Sequence, residues 1–517
     1  MIRALRTQIA FGAALALSVA LAAVALSKQK AVLTEQSGAV VHLDAPTAVS
    51  SSSSCEPARP IVTAPAEADP NPQLDLNVSA AGTVIHLRTE HQKPIDAIVI
   101  VNGSDLVEEP VTLFEYSDST TPASFPTWKS ADYGFHSGAC TGDLDGNGSD
   151  DLVVTVLGNR AEDSGVKAYY GTGFADRRRV LEATPRWLAK GLSATGCAIA
   201  DVDGNGQADV VFGTISESTA MASLRQPGLR VARRPGAGIG PFRSSGFLNN
   251  GTVRFALNIG RPSTTVATTK LPSVPPTPSA CPKMAFSPSA LLVRDLNRDG
   301  RQDLIVGGSR IAVWFGKDLP VGTPQFAGDP DWYSQEEYAY TPGLDVAFLP
   351  QWGREAIVAS RSCTSAGDDC CIEPSGYFLY DPLNPDPNNP SRKVPAVSAW
   401  CSTLPKGAYA GPIKLVAHDA GQSPDLIASV FLDTSNRDPT ICPNSFGGSL
   451  RRFAADPKGT LSHDYSLWHP EFNTVVMDLE FTTVLAANCQ SLLAVSGLPT
   501  VQSQIFLNVA NCKNNHP

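Results

Sequence analysis

The chain has 517 residues, with 42 glycines and 41 prolines, and its 50 acidic against 40 basic side chains leave a formal charge of -10. That balance argues against nucleic acid as a partner, because proteins that neutralise phosphates present basic faces. The length suits two or three average domains or one large closed β-fold, and the glycine and proline content supplies the tight turns a β-fold needs.

Arg3 and Arg6 precede an uncharged apolar run over residues 9–26. At about 1.5 Å per residue such a helix reaches roughly 27 Å, just enough to cross a bilayer. The stretch Ala23-Val24-Ala25 resembles a signal-peptidase site, so residues 1–27 read as a cleaved signal peptide in preference to an N-terminal membrane anchor. On either reading the arginines stay on the cytoplasmic side and the body is exported, to the periplasm, the cell surface or the medium. No cysteine directly follows the apolar run, so lipid attachment is not expected. Residues 28–73 are rich in Ser, Pro and Ala, with serines at 50–54, and read as a disordered linker ahead of a body at 74–517.

The body opens with short apolar runs at 83–87, 95–101 and 111–114, which read as strands. Three acidic stretches of one pattern follow. They place Asp143, Asp145, Asn147, Ser149 and Asp151, then Asp201, Asp203, Asn205, Gln207 and Asp209, then Asp295, Asn297, Asp299, Arg301 and Asp303 at positions 1, 3, 5, 7 and 9 of a loop. Side-chain oxygens at positions 1, 3, 5 and 9, with the backbone carbonyl of Ser149, Gln207 or Arg301 at position 7, suit a hard cation that takes six or more oxygens; calcium is the expected occupant of all three. An EF-hand would have Glu at position 12 and helices on both sides. Position 12 here is Val154, Phe212 or Val306, and each loop runs straight into a β-branched apolar stretch. The unit is therefore strand, acidic loop, strand.

On these loops and their flanking strands the chain resembles the FG-GAP or VCBS repeat, the calcium-loop repeat of integrin α-subunit propellers and of many bacterial surface proteins. The resemblance implies more repeats than three. A third strand recurs near 168–174, 247–255 and 313–326; degenerate units follow at 343–380, around Asp419 to Asp425 with the run 426–430, and at 475–508. With the opening unit the total is seven, at about 63 residues each, against about 40 to 50 in usual blades. The expected fold is all-β, a seven-bladed β-propeller with N-/C-terminal strand closure, in which residues 74–78 supply the outer strand of the last blade.

Eleven cysteines in an exported chain imply disulfides with one thiol over. Cys489 with Cys512 is the favoured pair, and one bridge is expected among Cys363, Cys370 and Cys371. Cys140 and Cys197 sit at inner-strand positions, where plain core packing is the favoured reading.

No Gly-x-Ser-x-Gly elbow, His-Glu-x-x-His or phosphate-binding loop occurs. His86, His91, His136, His418, His463 and His469 are scattered and read as surface or core residues. Arg225, Arg230, Arg233, Arg234 and Arg243 lie in an insertion at 216–245; with Arg177, Arg178 and Arg179 they form either a basic patch for an anionic ligand or, the favoured reading, a solvated loop. A proline-rich stretch at 270–282 reads as a spacer, and most of the seven tryptophans as packing between blades, in preference to platforms that stack on sugars. The expected activity is that of a monomeric binding module for a protein or glycan ligand, with calcium braces. Two alternatives stand beside it: a polysaccharide lyase or hydrolase with its site at the channel, and a structural or assembly protein of the cell envelope.

Overall fold

The computed structural model describes residues 55–57, 59–60, 70–74, 79–87, 95–102, 110–115, 126–131, 136–156, 164–172, 180–215, 252–257, 259, 269–270, 288–326, 329–334, 341–362, 375–383, 398–405, 408–417, 422–431, 448–457, 459–468, 476–482, 490–496 and 503–510. Among them every regular element is a strand, and the strands form seven sheets. The first comprises Ser79–Leu87, Ile95–Asn102, Thr112–Glu115 and Trp128–Lys129, and the second His136–Gly142, Asp151–Val156, Gly165–Tyr169 and Trp187–Lys190. The third takes Ser193–Ala200, Asp209–Ile215, Thr252–Ala256 and Thr269–Lys270; the fourth takes Ala290–Arg294, Asp303–Gly307, Ile311–Trp314 and Trp332–Tyr333. The fifth runs Leu344–Leu349, Arg354–Arg361, Gly376–Tyr380, Trp400–Thr403, and the sixth Tyr409–Val416, Asp425–Phe431, Gly448–Ala455, Leu461–Trp468. Val476–Thr482, Gln490–Ser496 and Ser503–Ala510 make the seventh. Within each sheet these strands pair antiparallel in chain order, the meander expected of a propeller blade.

The apolar runs are explained by where the cores lie. Strand Asp151–Val156 is buried along its whole length: Leu152 and Val154 pack toward the first sheet, and Val153 packs toward the third. Strands covered on both faces lose the apolar/polar alternation of a half-exposed strand and read as continuous β-branched runs. Seven apolar clusters fall one to each junction between successive sheets, and the last, with Ile98, Ile100, Phe114, Leu493 and Val495, joins the seventh sheet to the first. Trp128, Trp314, Trp332, Trp400 and Trp468 are all buried, as expected of packing residues.

The leading strands, the first of each sheet, and the residues just ahead of them also carry polar ties to one another. Thr141 Oγ1 donates to the Val84 carbonyl at 2.8 Å, Ser137 Oγ to that of Ala194 at 2.8 Å, Thr195 Oγ1 to that of Pro288, and Ser289 Oγ to that of Thr341 at 2.9 Å. Asp345 accepts from the Leu415 N–H at 2.7 Å, Lys414 Nζ lies 3.3 Å from Glu480, and Asp478 accepts from the Gly82 N–H at 3.2 Å. Each junction thus has at least one directional contact besides its apolar cluster.

Two expectations need correction. The stretch 28–73 is not wholly a linker, because Glu56–Pro57 adds parallel to the outer strand of the fifth sheet and Arg59–Pro60 parallel to that of the sixth. The segment expected at 74–78 to clasp the last unit is Pro70–Leu74, which pairs antiparallel with Ser503–Ala510; residues 75–78 lie outside the described residues. Cys55 is disulfide-bonded to Cys401, so this N-terminal stretch is covalently fastened to the fifth sheet. Two-residue strands carry no periodicity for sequence reading to find. The cysteines 363, 370, 371, 489 and 512, the arginine-rich insertion, Arg177 to Arg179 and the apolar N-terminus all lie outside the described residues. No helix among the described residues is long and apolar enough to cross a membrane.

Burial between the leading strands, and next the charge of Glu480, push the Asp478 carboxyl up to about 7, against the opposing Gly82 N–H and Lys414 charge. The folded chain therefore holds a proton there that the unfolded chain has already released, and this contribution to stability is lost as pH rises from 3.8 toward 7. Denaturant midpoints of Asp478→Asn should fall less than those of the parent between about pH 4 and about pH 7; parallel profiles would show that Asp478 does not titrate in this window.

Candidate metal centres

The three acidic loops are the turns between leading and second strands of the second, third and fourth sheets. Position 1 follows the leading strand directly, and position 9 is the first residue of the second strand. Positions 4 and 6 turn the backbone into the left-handed region, where glycine is favoured. Gly146, Gly148, Gly204, Gly206 and Gly300 serve there, with φ between 72° and 85°. Arg298, at position 4 of the last loop, adopts φ 60° instead. Its guanidinium lies 3.2 Å from the buried Glu355 and 4.2 Å from the Phe348 ring centroid, contacts with the fifth sheet that offset the strain.

The position-1 carboxylate organises each loop. Asp143 accepts from the backbone N–H groups of Gly146, Asn147 and Gly148, at 2.8, 3.0 and 2.8 Å. Asp201 accepts from Gly204, Asn205 and Gly206 at 2.8, 3.2 and 2.7 Å, and Asp295 from Asp299 and Gly300 at 3.0 and 2.9 Å. Position 3 takes the position-5 N–H in every case, through Asp145, Asp203 and Asn297, and position 5 takes the position-7 N–H. The loops are therefore shaped by their own side chains, with oxygens turned inward.

Position 9 does a second job that spacing alone did not disclose. Asp151 accepts from Leu144 N–H at 2.8 Å and from Gly171 N–H at 2.7 Å, tying the loop to the end of the third strand. Asp303 does the same with Leu296 and Gly316, and Asp209 with Val202. The role persists without the motif in the sixth sheet, where Asp425 accepts from Ala455 N–H at 2.8 Å and from Arg452 Nε at 2.7 Å. In the fifth sheet the charges are exchanged: Arg354 heads the second strand and pairs with Asp381 at 2.7 Å. An acidic residue immediately before an apolar run was the available signal for Asp425; a reversed pair offers none.

Three carboxylates converge in two of the loops. Asp143, Asp145 and Asp151, and likewise Asp201, Asp203 and Asp209, present oxygens within 4.8 Å of one another. Burial, then the charges of Asp145 and Asp143, raise Asp151 to about 7 against its two N–H donors; burial also raises Asp145. Such mutual repulsion at short range is what a bound cation relieves. These two donor sets, hard oxygens on a preformed turn, fit calcium.

In the last loop the carboxylates are engaged differently. Arg301 Nη2 bonds Asp299 Oδ2 at 2.6 Å, and Asn297 Nδ2 reaches the same oxygen at 3.1 Å. The small burial of Asp299 opposes the shift, yet Arg301's N–H and guanidinium and the Asn297 amide hold its carboxyl below the ordinary range. Arg301 Nε also donates to the Gly316 carbonyl at 2.9 Å. Loop one has a weaker counterpart in Arg186, 3.9 Å from Asp145 and stacked at 4.5 Å on Tyr170. Asp150, overlooked in the sequence, exchanges two bonds with His86 and fixes that loop to the first sheet: its carboxylate accepts from His86 N–H at 2.8 Å, and its own N–H donates to the His86 carbonyl at 2.9 Å.

Cys140 and Cys197 are not packed thiols but a disulfide, with Cα atoms 5.9 Å apart. Both were placed correctly on inner strands. The bond forms because leading strands of successive sheets lie side by side, a neighbourhood that spacing along the chain does not encode.

Residues 143–212 match the family model of the FG-GAP-like repeat, a span that contains the two loops with converging carboxylates and ends before the last one. No curated protein matches the chain by sequence. Among solved structures, one described as BBS1N in complex with ARL6DN is similar at a TM-score of 0.42 and 12% identity, over 86% of this chain and 98% of that one.

Ligand and scaffold roles separate by mutation. Asp151→Ala should cost about 1–3 kcal/mol for each of its two buried N–H donors even with a chelator present, whereas Asp145→Ala should cost little under chelation and more in calcium. Urea midpoints with and without EGTA measure this, and equal losses for both variants in both buffers would refute the division.

Proposed function

We propose that the seven sheets are the blades of one closed β-propeller, braced by calcium, that works outside the cytoplasm as a binding module for a protein or glycan. The observation that carries the calcium part is the convergence of three carboxylates in each of the loops at 143–151 and 201–209. Asp143, Asp145, Asn147 and Asp151 would hold one ion and Asp201, Asp203, Asn205 and Asp209 the other, with the Ser149 and Gln207 carbonyls. Calcium supplies positive charge that cancels the repulsion among these groups. At 295–303 the Arg301 guanidinium already meets Asp299, so the reading is two ions rather than the three that spacing implied.

Closure is supported by the apolar cluster and the Asp478 to Gly82 bond between the seventh sheet and the first, and by the pairing of Pro70–Leu74 with Ser503–Ala510. Two disulfides fit an oxidising compartment, hence export. A repeat of this type on a propeller is commonly an interaction module, which favours binding over catalysis. The group that a channel enzyme would draw on, Lys414 with Asp345, Asp478 and Glu480, is spent on ties between leading strands; a structural role is the reading we adopt.

The secreted full chain should bind two calcium ions by equilibrium dialysis. Its melting temperature should fall on chelation, since an ion at a hundred times its dissociation constant stabilises the folded state by about 2.7 kcal/mol per site. Three bound ions would show that Arg301 yields to the metal, and none would remove the calcium reading. Glycan arrays and pull-downs from extracellular extracts, each in calcium and in EGTA, test the binding role; substrate turnover on polysaccharides without retained ligand would replace it with catalysis.

A further inference from the structure

The disulfide between Cys140 and Cys197 stands next to both acidic loops, and its place there has a chemical consequence. Cys140 lies on His136–Gly142, whose next residue is Asp143; Cys197 lies on Ser193–Ala200, whose next residue is Asp201. The bond therefore joins the two strands that deliver the organising carboxylate of each loop. Those strands also approach closely at the loop bases: a methyl group built on Gly142 would come within 2.7 Å of Ile199 Cγ2.

We propose that the Cys140–Cys197 bond couples the two loops to the redox state of their surroundings: the oxidised chain binds calcium more tightly, and bound calcium protects the bond from reduction. This rests on the calcium reading of the two loops. With no ion, the repulsion of three converging carboxylates opposes the N–H bonds that shape each loop; the crosslink holds the strands behind them in place, so fewer arrangements must be surrendered when the ion arrives. Linkage makes the effect reciprocal: the factor by which oxidation tightens calcium binding is the factor by which calcium favours the disulfide. Both cysteines are only partly buried. In the exchange, a small dithiol's two thiols are oxidised to its cyclic disulfide, and the two electrons and two protons convert the Cys140–Cys197 bond into two thiols.

The test uses the full oxidised chain and needs no knowledge of a partner. In buffers of reduced and oxidised dithiothreitol at fixed ratios, the fraction of each disulfide is read by thiol alkylation and mass spectrometry, with calcium or with EGTA. Calcium should shift the reduction equilibrium of Cys140–Cys197 about fivefold or more toward the disulfide, and leave Cys55–Cys401, on the fifth sheet, unmoved. Calorimetric titration of a Cys140→Ser, Cys197→Ser double variant should show calcium binding weakened, the product of the factors at the two sites matching that shift. Calcium binding with no change in the reduction equilibrium overturns the coupling and leaves the calcium sites standing. A shift of both disulfides alike overturns it too, since that reports global stabilisation. Absence of calcium binding in either redox state removes the premise and the proposal together.

Discussion

Every sheet in this molecule has two apolar faces, and no sheet can satisfy both without a neighbour on each side. That constraint organises the rest. The second strands Asp151–Val156 and Asp303–Gly307 are buried from end to end, and an apolar cluster fills every junction among the described residues. A row of such sheets would leave an apolar face bare at either end. The cluster between Leu493, Val495, Ile98 and Phe114 covers those two ends with each other, which is why a ring is the proposed arrangement.

Apolar burial sets neighbours beside one another but does not set their registry, because it is not directional. Direction comes from the polar ties among leading strands, and their chemistry changes around the molecule. Between the second and third sheets there is a covalent bond; from the fifth sheet to the first there are carboxylates and Lys414. The acidic loops belong to the same system. Asp151 and Asp303, at position 9, tie the second strand to the end of the third through their own N–H bonds, and Asp425 and the Arg354–Asp381 pair do that work where the loop motif is absent. The loop is an elaboration of a junction that the fold needs in any case.

Much of this was legible beforehand, and for physical reasons. Loops at 143–151, 201–209 and 295–303 announced themselves because side-chain oxygens at fixed intervals have one evident use, and the β-branched runs behind them because strands buried on both faces tolerate little else. The N-terminal additions at Glu56–Pro57 and Arg59–Pro60 were hidden, since two-residue strands among prolines look like any linker. The partnership of Cys140 with Cys197 was hidden too, because separation along the chain carries no information about which strands lie flank to flank. Arg301 was read only for its carbonyl; that its guanidinium turns back on Asp299 depends on the curl of the loop.

Glu56–Pro57, Arg59–Pro60 and Pro70–Leu74 add in turn to the outer edges of the fifth, sixth and seventh sheets. Without a crosslink, tension on the chain ahead of them would meet first Glu56–Pro57 and Arg59–Pro60, two residues each, before the longer pairing of Pro70–Leu74. The Cys55–Cys401 bond reroutes that load. Force arriving from the N-terminal side passes through sulfur into Trp400–Thr403, a strand already paired with Gly376–Tyr380, and is spread over a whole sheet.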